Sequence, residues 1–146
     1  MTRDVRWLFA AFETIHFFGL CLLVGSLAIV DLRLLGVLNK GSPKSVLNFT
    51  HIAILGFVMN LISGAGCFSS SPSTYWYNPL FRIKLVLILL AGLNVLWFEV
   101  VERKKVASLG DAEVAAASTR LVAAASLILW ALVICFGRFL PVMAAT

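Results

Sequence analysis

Glu13 and His16 are the two residues of the first apolar run whose types and spacing could do chemistry. They are three residues apart, so on a helix they share one face. Ionisable side chains are rare inside hydrocarbon and are functional candidates by default. A neutral imidazole there suits haem iron, with a neighbouring group to fix its tautomer. The pair predicts His16 as an axial haem ligand and Glu13 as its orienting partner. The alternative is a histidine that hydrogen-bonds Glu13 or another helix and serves packing alone.

Three cations lie near the ends of later apolar runs: Arg82, Lys84 and Arg138. The topology inferred below places them in the outer part of the membrane, at the level of Glu13 and His16. Such a convergence favours a bound anion, for which haem propionates, a quinone oxygen or a lipid phosphate would each fit. The alternative is that the three side chains snorkel to the outer head groups.

His51 is the only other histidine in the chain. Counted from the predicted cytoplasmic boundary at about 1.5 Å per residue, His16 lies about 22 Å deep and His51 about 4 to 5 Å. One haem iron needs both imidazoles near one level, so the sequence favours His51 as an interfacial or partner-facing residue. Three arrangements of the iron stay open. It is five-coordinate, or His51 supplies the second axial ligand through an unanticipated tilt, or a partner subunit supplies that ligand.

The composition indicates the class of protein to which these residues belong. The 146 residues are 61% hydrophobic and 13% charged, and the mean hydropathy is +0.99. These values exclude a soluble globule with an ordinary polar exterior. The apolar runs lack the alternation of a β-barrel, and their lengths allow four helical spans. We therefore predict one all-α domain over residues 1–146, an up-down-up-down transmembrane bundle with spans at about 7–30, 46–67, 79–98 and 121–142. The first helix is expected to continue to about Leu38.

The charges of the connecting segments predict the topology. The first and third connections carry Lys and Arg, whereas the second, from Cys67 to Phe81, carries none. The positive-inside rule places the first and third connections in the cytoplasm and both termini outside. The net charge of +5 then indicates contact with anionic lipid and not with nucleic acid. The three cysteines have no CxxC or CxxCH spacing, which predicts neither zinc nor covalent haem.

The remaining polar residues of the spans suggest structural roles. Interhelical hydrogen bonds explain the uncharged ones adequately; these are Asn60, Ser63, Asn94 and Ser126. Asp31 and Arg33 are expected to form an ion pair at the cytoplasmic edge of the membrane.

Several motifs resemble an uncharacterised bacterial family of four-helix integral membrane proteins. They are ETIHxxG from Glu13, LLxGS from Leu22, DLRLLG from Asp31, NPxFRxK from Asn78, AGxN from Ala91 and SLxLWxxVxxxGR from Ser126. The resemblance covers nearly the whole chain and implies a multi-pass protein of the bacterial inner membrane.

Two more distant resemblances suggest cofactors. His16 and Lys84 are similar in pattern to the span 1 histidine and span 3 lysine of HemJ-type protoporphyrinogen oxidase, which implies b-type haem. The histidine of span 1 followed by a glycine is similar to CopD-type copper-import domains, which implies copper.

The sequence thus leads to a haem b-binding membrane protein, an electron-transfer or auxiliary subunit of a membrane redox complex. Its expected partners are the lipid bilayer, a quinone or other redox subunits, and a second copy of the chain. Two other functions stay open: a cofactor-free structural or assembly subunit, and, third, CopD-like copper transport. No catalytic residue is assigned, and the sequence leaves open whether the protein is an enzyme.

Overall fold

The computed structural model of the chain describes residues 3–38, 42–70, 72–110 and 113–144. This part is helical and contains no strand. In chain order its elements are α1 (Arg3–Leu34), α2 (Pro43–Val46), α3 (Asn48–Ser70), α4 (Pro72–Trp76), α5 (Pro79–Trp97), a π-helical turn (Phe98–Glu102), α6 (Arg103–Ala107) and α7 (Ala117–Ala144).

Four stretches of helix are long and apolar enough to cross a membrane: Arg6–Leu34, Lys44–Ser70, Pro79–Ala107 and Ala117–Phe139. The predicted all-α, four-helix class is therefore confirmed. Many large apolar side chains on these helices face outward, as a lipid environment requires. The up-down order relative to the membrane and the outer location of both termini stay predictions.

The end of α1 comes earlier than the sequence suggests, at Leu34 instead of about Leu38. The cause is Gly36, whose φ of 81° lies in the left-handed region that glycine adopts without strain. Gly36 N–H donates to the Arg33 carbonyl at 3.1 Å, and Val37 N–H donates to the Leu32 carbonyl at 3.0 Å. These two bonds are a Schellman motif, which satisfies the last carbonyls of the helix.

The third span continues beyond its predicted end at about residue 98. The π-helical turn and α6 extend it to Ala107, and an ion pair at 2.6 Å between Arg103 and Glu99 stabilises this extension. Glu102 is 2% exposed; it accepts a hydrogen bond from Thr119 Oγ1 and forms an ion pair with Lys105. Because Thr119 belongs to α7, Glu102 joins the end of the third span to the start of the fourth.

Helices α1 and α3 approach each other closely at Gly19 and Gly56. A Cβ atom on Gly56 would lie 2.7 Å from the Gly19 carbonyl oxygen and 2.6 Å from the Leu23 nitrogen. The two backbones are in direct contact there, an arrangement that small residues permit in membrane helices. Further along, Phe12 packs on Gly66, so the two helices run in opposite directions where they touch.

Two buried apolar clusters complete the bundle. One lies around Trp130 and includes Leu23, Leu27, Ala53, Ala91 and Val133. The other lies towards the loop that follows α6 and includes Val30, Leu34, Val46, Leu47, Phe98, Val106, Ala115 and Ala123. Helix α1 packs on α3 and α7, and α5 packs on α7.

Among the described residues Asp31 forms no ion pair with Arg33, although the sequence predicts one. It is 5% exposed and lies inside the bundle. The physical reason is helix geometry, because residues two apart on a helix do not face each other. The expectation of interhelical bonds is met for Asn94, whose Nδ2 donates to the Val122 carbonyl at 3.2 Å. Asn60 Nδ2 instead donates to Gly56 of its own helix at 3.0 Å.

Gly56→Ala should destabilise the bundle because the added methyl group meets the α1 backbone, which cannot move aside without separating the helices. We expect a loss of about 1–3 kcal/mol, measured as a lower thermal midpoint of the detergent-purified protein. The control is Gly25→Ala on α1, where a Cβ meets nothing within 4 Å. Equal midpoints for the two variants would contradict the close approach.

Thr119→Val should also destabilise the protein, because it removes the donor to the buried carboxylate of Glu102. The expected loss is about 1–3 kcal/mol, measured by thermal unfolding in detergent. Ser108→Ala is the control, since that hydroxyl is exposed and bonds only the Lys105 carbonyl. A midpoint for Thr119→Val as high as that of the control would show that Glu102 does not need this bond.

Candidate functional site

His16 is held between α1 and α3 by a hydrogen bond that determines which of its nitrogens carries the proton. Its Nδ1 is 3.0 Å from Ser63 Oγ. The Ser63 hydroxyl donates its single proton to the Met59 carbonyl at 2.6 Å, so it can only accept from His16. The Asn60 carbonyl is a second acceptor near the ring. Nδ1 therefore carries the proton of the neutral imidazole, and Nε2 presents a lone pair.

The His16 ring packs against α3 at Gly64, which has no side chain. A Cβ atom on Gly64 would lie 3.4 Å from His16 Cε1, so the ring packs directly against the backbone of α3. His16 is partly exposed at this position. A ligand can therefore reach it from the surface of the bundle.

Lys84 of α5 lies beside this histidine. A Cβ atom on Gly137 would lie 3.2 Å from Lys84 Nζ, so the ammonium group packs against α7 at a residue without a side chain. Lys84 interacts electrostatically with both His16 and Cys67. Within the described ranges its amino group has no hydrogen-bond acceptor and no carboxylate partner. A partly buried cation of this kind can bind an anion.

Glu13 faces the same end of the bundle but does not hold the His16 ring. It is exposed and makes no hydrogen bond to His16 in the part of the chain that the structure describes; Ser63 has the orienting position instead. Glu13 interacts electrostatically with Cys67 and with Tyr75 of α4. Burial raises the pKa of the Tyr75 hydroxyl, and Cys67 and Glu13 raise it further. Tyr75 therefore stays a neutral hydrogen-bond donor at neutral pH.

The other predicted site residues are Arg82, Arg138 and His51, and all three are exposed. Arg82 and Arg138 are exposed on α5 and α7, and among the described residues neither pairs with Glu13. His51 is exposed and precedes Ser63 by twelve residues on α3, about 18 Å along the helix axis. The two histidines of one chain therefore lie too far apart to bind the same iron.

Sequence reasoning missed three members of the group around His16: Ser63 as the orienting residue, Cys67 and Tyr75. A signal for Ser63 was present. It lies seven residues after Gly56 and three after Asn60, so it shares the small and polar face of α3 that packs inward. Cys67 had a similar signal, because it lies four residues after Ser63 on α3. Tyr75 had none, because the position of α4 depends on the folded connection.

The site has one imidazole and no compact set of metal ligands. Across the described ranges, no three His, Cys, Asp or Glu side chains come close enough to hold a metal ion. Cys21 and Cys135 are exposed free thiols, and Cys67 is a partly buried one. The geometry offers a single nitrogen ligand, with a fixed tautomer and a cation beside it.

Comparison with known proteins gives the chain a family but no activity. No curated protein and no solved structure matches it. A family model matches residues 3–143, which is nearly the whole chain, as the motif resemblance suggests. The chain therefore belongs to DUF6644, a family of unknown function.

Proposed function

We propose that this protein binds haem b in the membrane through His16 and serves as an electron-transfer or auxiliary subunit of a membrane redox complex. The observation that carries the proposal is the hydrogen bond from His16 Nδ1 to Ser63 Oγ at 3.0 Å. A haem-ligating histidine needs a neutral ring with a free nitrogen and a partner that fixes the other nitrogen. Ser63 supplies that partner, and its own bond to Met59 determines the direction of donation.

The residues around His16 fit the group chemically. Nε2 offers the lone pair for iron, and the packing of the ring on Gly64 restricts its rotation. Lys84 offers a positive charge beside the imidazole, suited to a propionate carboxylate. Arg82 and Arg138 on the same two helices, α5 and α7, can extend that anchoring at the bundle surface. Haem iron, once bound, carries one electron by alternating between the ferric and ferrous states.

The partial exposure of His16 supports a role at the periphery of the bundle. Neither the apolar cavity beside Trp130 nor the polar one beside Asp31 is lined by His16. A group bound by His16 would be accessible from the bundle surface to a quinone or a neighbouring subunit. In the proposed orientation this site lies in the outer half of the bacterial inner membrane.

The first test is the visible spectrum of the detergent-purified protein, oxidised and reduced with dithionite. Wild type and His51→Ala should show b-type bands, and His16→Ala should lose them because Nε2 is the only ligand offered. Added imidazole should restore the bands in His16→Ala, which distinguishes a lost ligand from a misfolded protein. A colourless wild type from cells supplied with haem would overturn the proposal in favour of a cofactor-free assembly subunit.

The second test concerns the tautomer. Ser63→Ala should weaken haem binding by about 10- to 100-fold, because the ligand loses its orienting partner. The measurement is titration of the apoprotein with haemin. Ser69→Ala is a matched control on the same helix, since its hydroxyl also bonds the carbonyl four residues earlier, at 2.8 Å, but touches no histidine. Equal haemin affinity of both variants would contradict the role of Ser63.

A further inference from the structure

A second polar site lies inside the bundle, around Asp31. The carboxylate belongs to a small cavity lined by oxygen-bearing side chains from all four long helices: Asp31 of α1, Thr50 of α3, Asn94 of α5 and Ser126 of α7. The cavity has about 10 Å³ open to the centre of a water molecule, which is room for one water molecule or one ion of that size.

The side chains of this site are buried and lack partners. Asp31 is 5%, Thr50 1% and Ser126 3% exposed. Asp31 Oδ2, Thr50 Oγ1 and Ser126 Oγ make no hydrogen bond, although the Ser126 hydroxyl approaches the carboxylate. Buried polar atoms are almost always paired, and an unpaired buried carboxylate is costly. These buried oxygens face one small cavity, which makes the cavity a candidate binding site for a polar ligand.

The walls between these oxygens are apolar and offer no positive charge. The other lining residues are Leu27, Val30, Val95, Phe98 and Val122. Among the described residues, no Lys, Arg or His side chain lines the cavity. The Asp31 carboxyl group therefore has no cationic side chain beside it in the cavity.

We propose that this cavity binds one sodium ion, with the Asp31 carboxylate as the charged ligand. The donor set is oxygen only, from a carboxylate, two hydroxyls and the Asn94 amide, which suits a hard cation and not copper or zinc. The volume admits a dehydrated sodium ion, which is smaller than a water molecule. A single carboxylate balances a monovalent cation, whereas calcium sites in proteins usually contain several acidic groups. The site is separate from His16 and does not depend on haem.

The test is binding of radioactive ²²Na⁺ to the full chain in detergent, in a potassium chloride buffer. Wild type should bind close to one sodium ion per chain in a saturable manner, and Asp31→Asn should lose binding. Ser126→Ala and Thr50→Val should each weaken it about tenfold through loss of one oxygen ligand. Two variants of exposed residues, Glu113→Gln and Ser108→Ala, serve as controls and should bind as wild type.

Wild-type protein alone gives a second readout that needs no variant. Sodium chloride should raise its thermal midpoint relative to potassium or choline chloride at equal ionic strength, since a ligand bound only to the folded state stabilises it. Absence of both saturable binding and this shift would overturn the proposal and leave a water molecule or a proton on Asp31 as the guest. Sodium binding that survives in Asp31→Asn would also overturn it.

Discussion

The contact between Gly19 and Gly56 is the constraint on which the rest of the structure depends. Backbone atoms of α1 and α3 meet there with no side chain between them, so the two helices have a fixed level relative to each other. One turn of α1 away, this level brings His16 opposite Ser63. A shift of α1 by one helical turn, about 5.4 Å, would separate the imidazole from the serine hydroxyl. The tautomer of His16 is therefore a result of backbone packing at another position.

Much of the fold follows from the sequence because hydrophobicity and length dominate it. The four predicted spans correspond to long helices in the structure, and the predicted start of the third at residue 79 is the start of α5. The early end of α1 was harder to predict, since only the folded backbone shows that Gly36 adopts a positive φ. The extension through Phe98–Glu102 was missed because charged residues after an apolar run suggest a connection, although a helix can continue outside the hydrocarbon.

The site around His16 was predicted only in part. A lone histidine in an apolar run is visible in any sequence, and the level of Lys84 follows from counting residues. The hydrogen-bond partner of His16 does not follow from the sequence, because both Glu13 on the same helix and Ser63 on α3 are possible partners. The choice between them depends on the rotation of α1 about its axis. Asp31 shows the same limit: its spacing from Arg33 suggests an ion pair, whereas side chains of four helices surround its carboxyl group.

The two polar sites lie in opposite halves of α1. His16 and Asp31 are fifteen residues apart, about 22 Å along the helix axis, with the apolar cluster around Trp130 between them. The described residues of α1 between His16 and Asp31 are mostly apolar, so no chain of polar groups connects the two side chains along this helix. A ligand at one site would influence the other chiefly through movement of α1 as a rigid body.

The π-helical turn at Phe98–Glu102 also determines the phase of the helix beyond it. Such a turn arises when one extra residue is inserted into an α-helix, and one residue corresponds to about 100° of rotation. With this rotation Glu102 and Val106 face the bundle, where both are buried. A helix one residue shorter would turn that face away and present the carboxylate to lipid or solvent. A change in the length of this segment would therefore alter the packing of all of α6 and not of the turn alone.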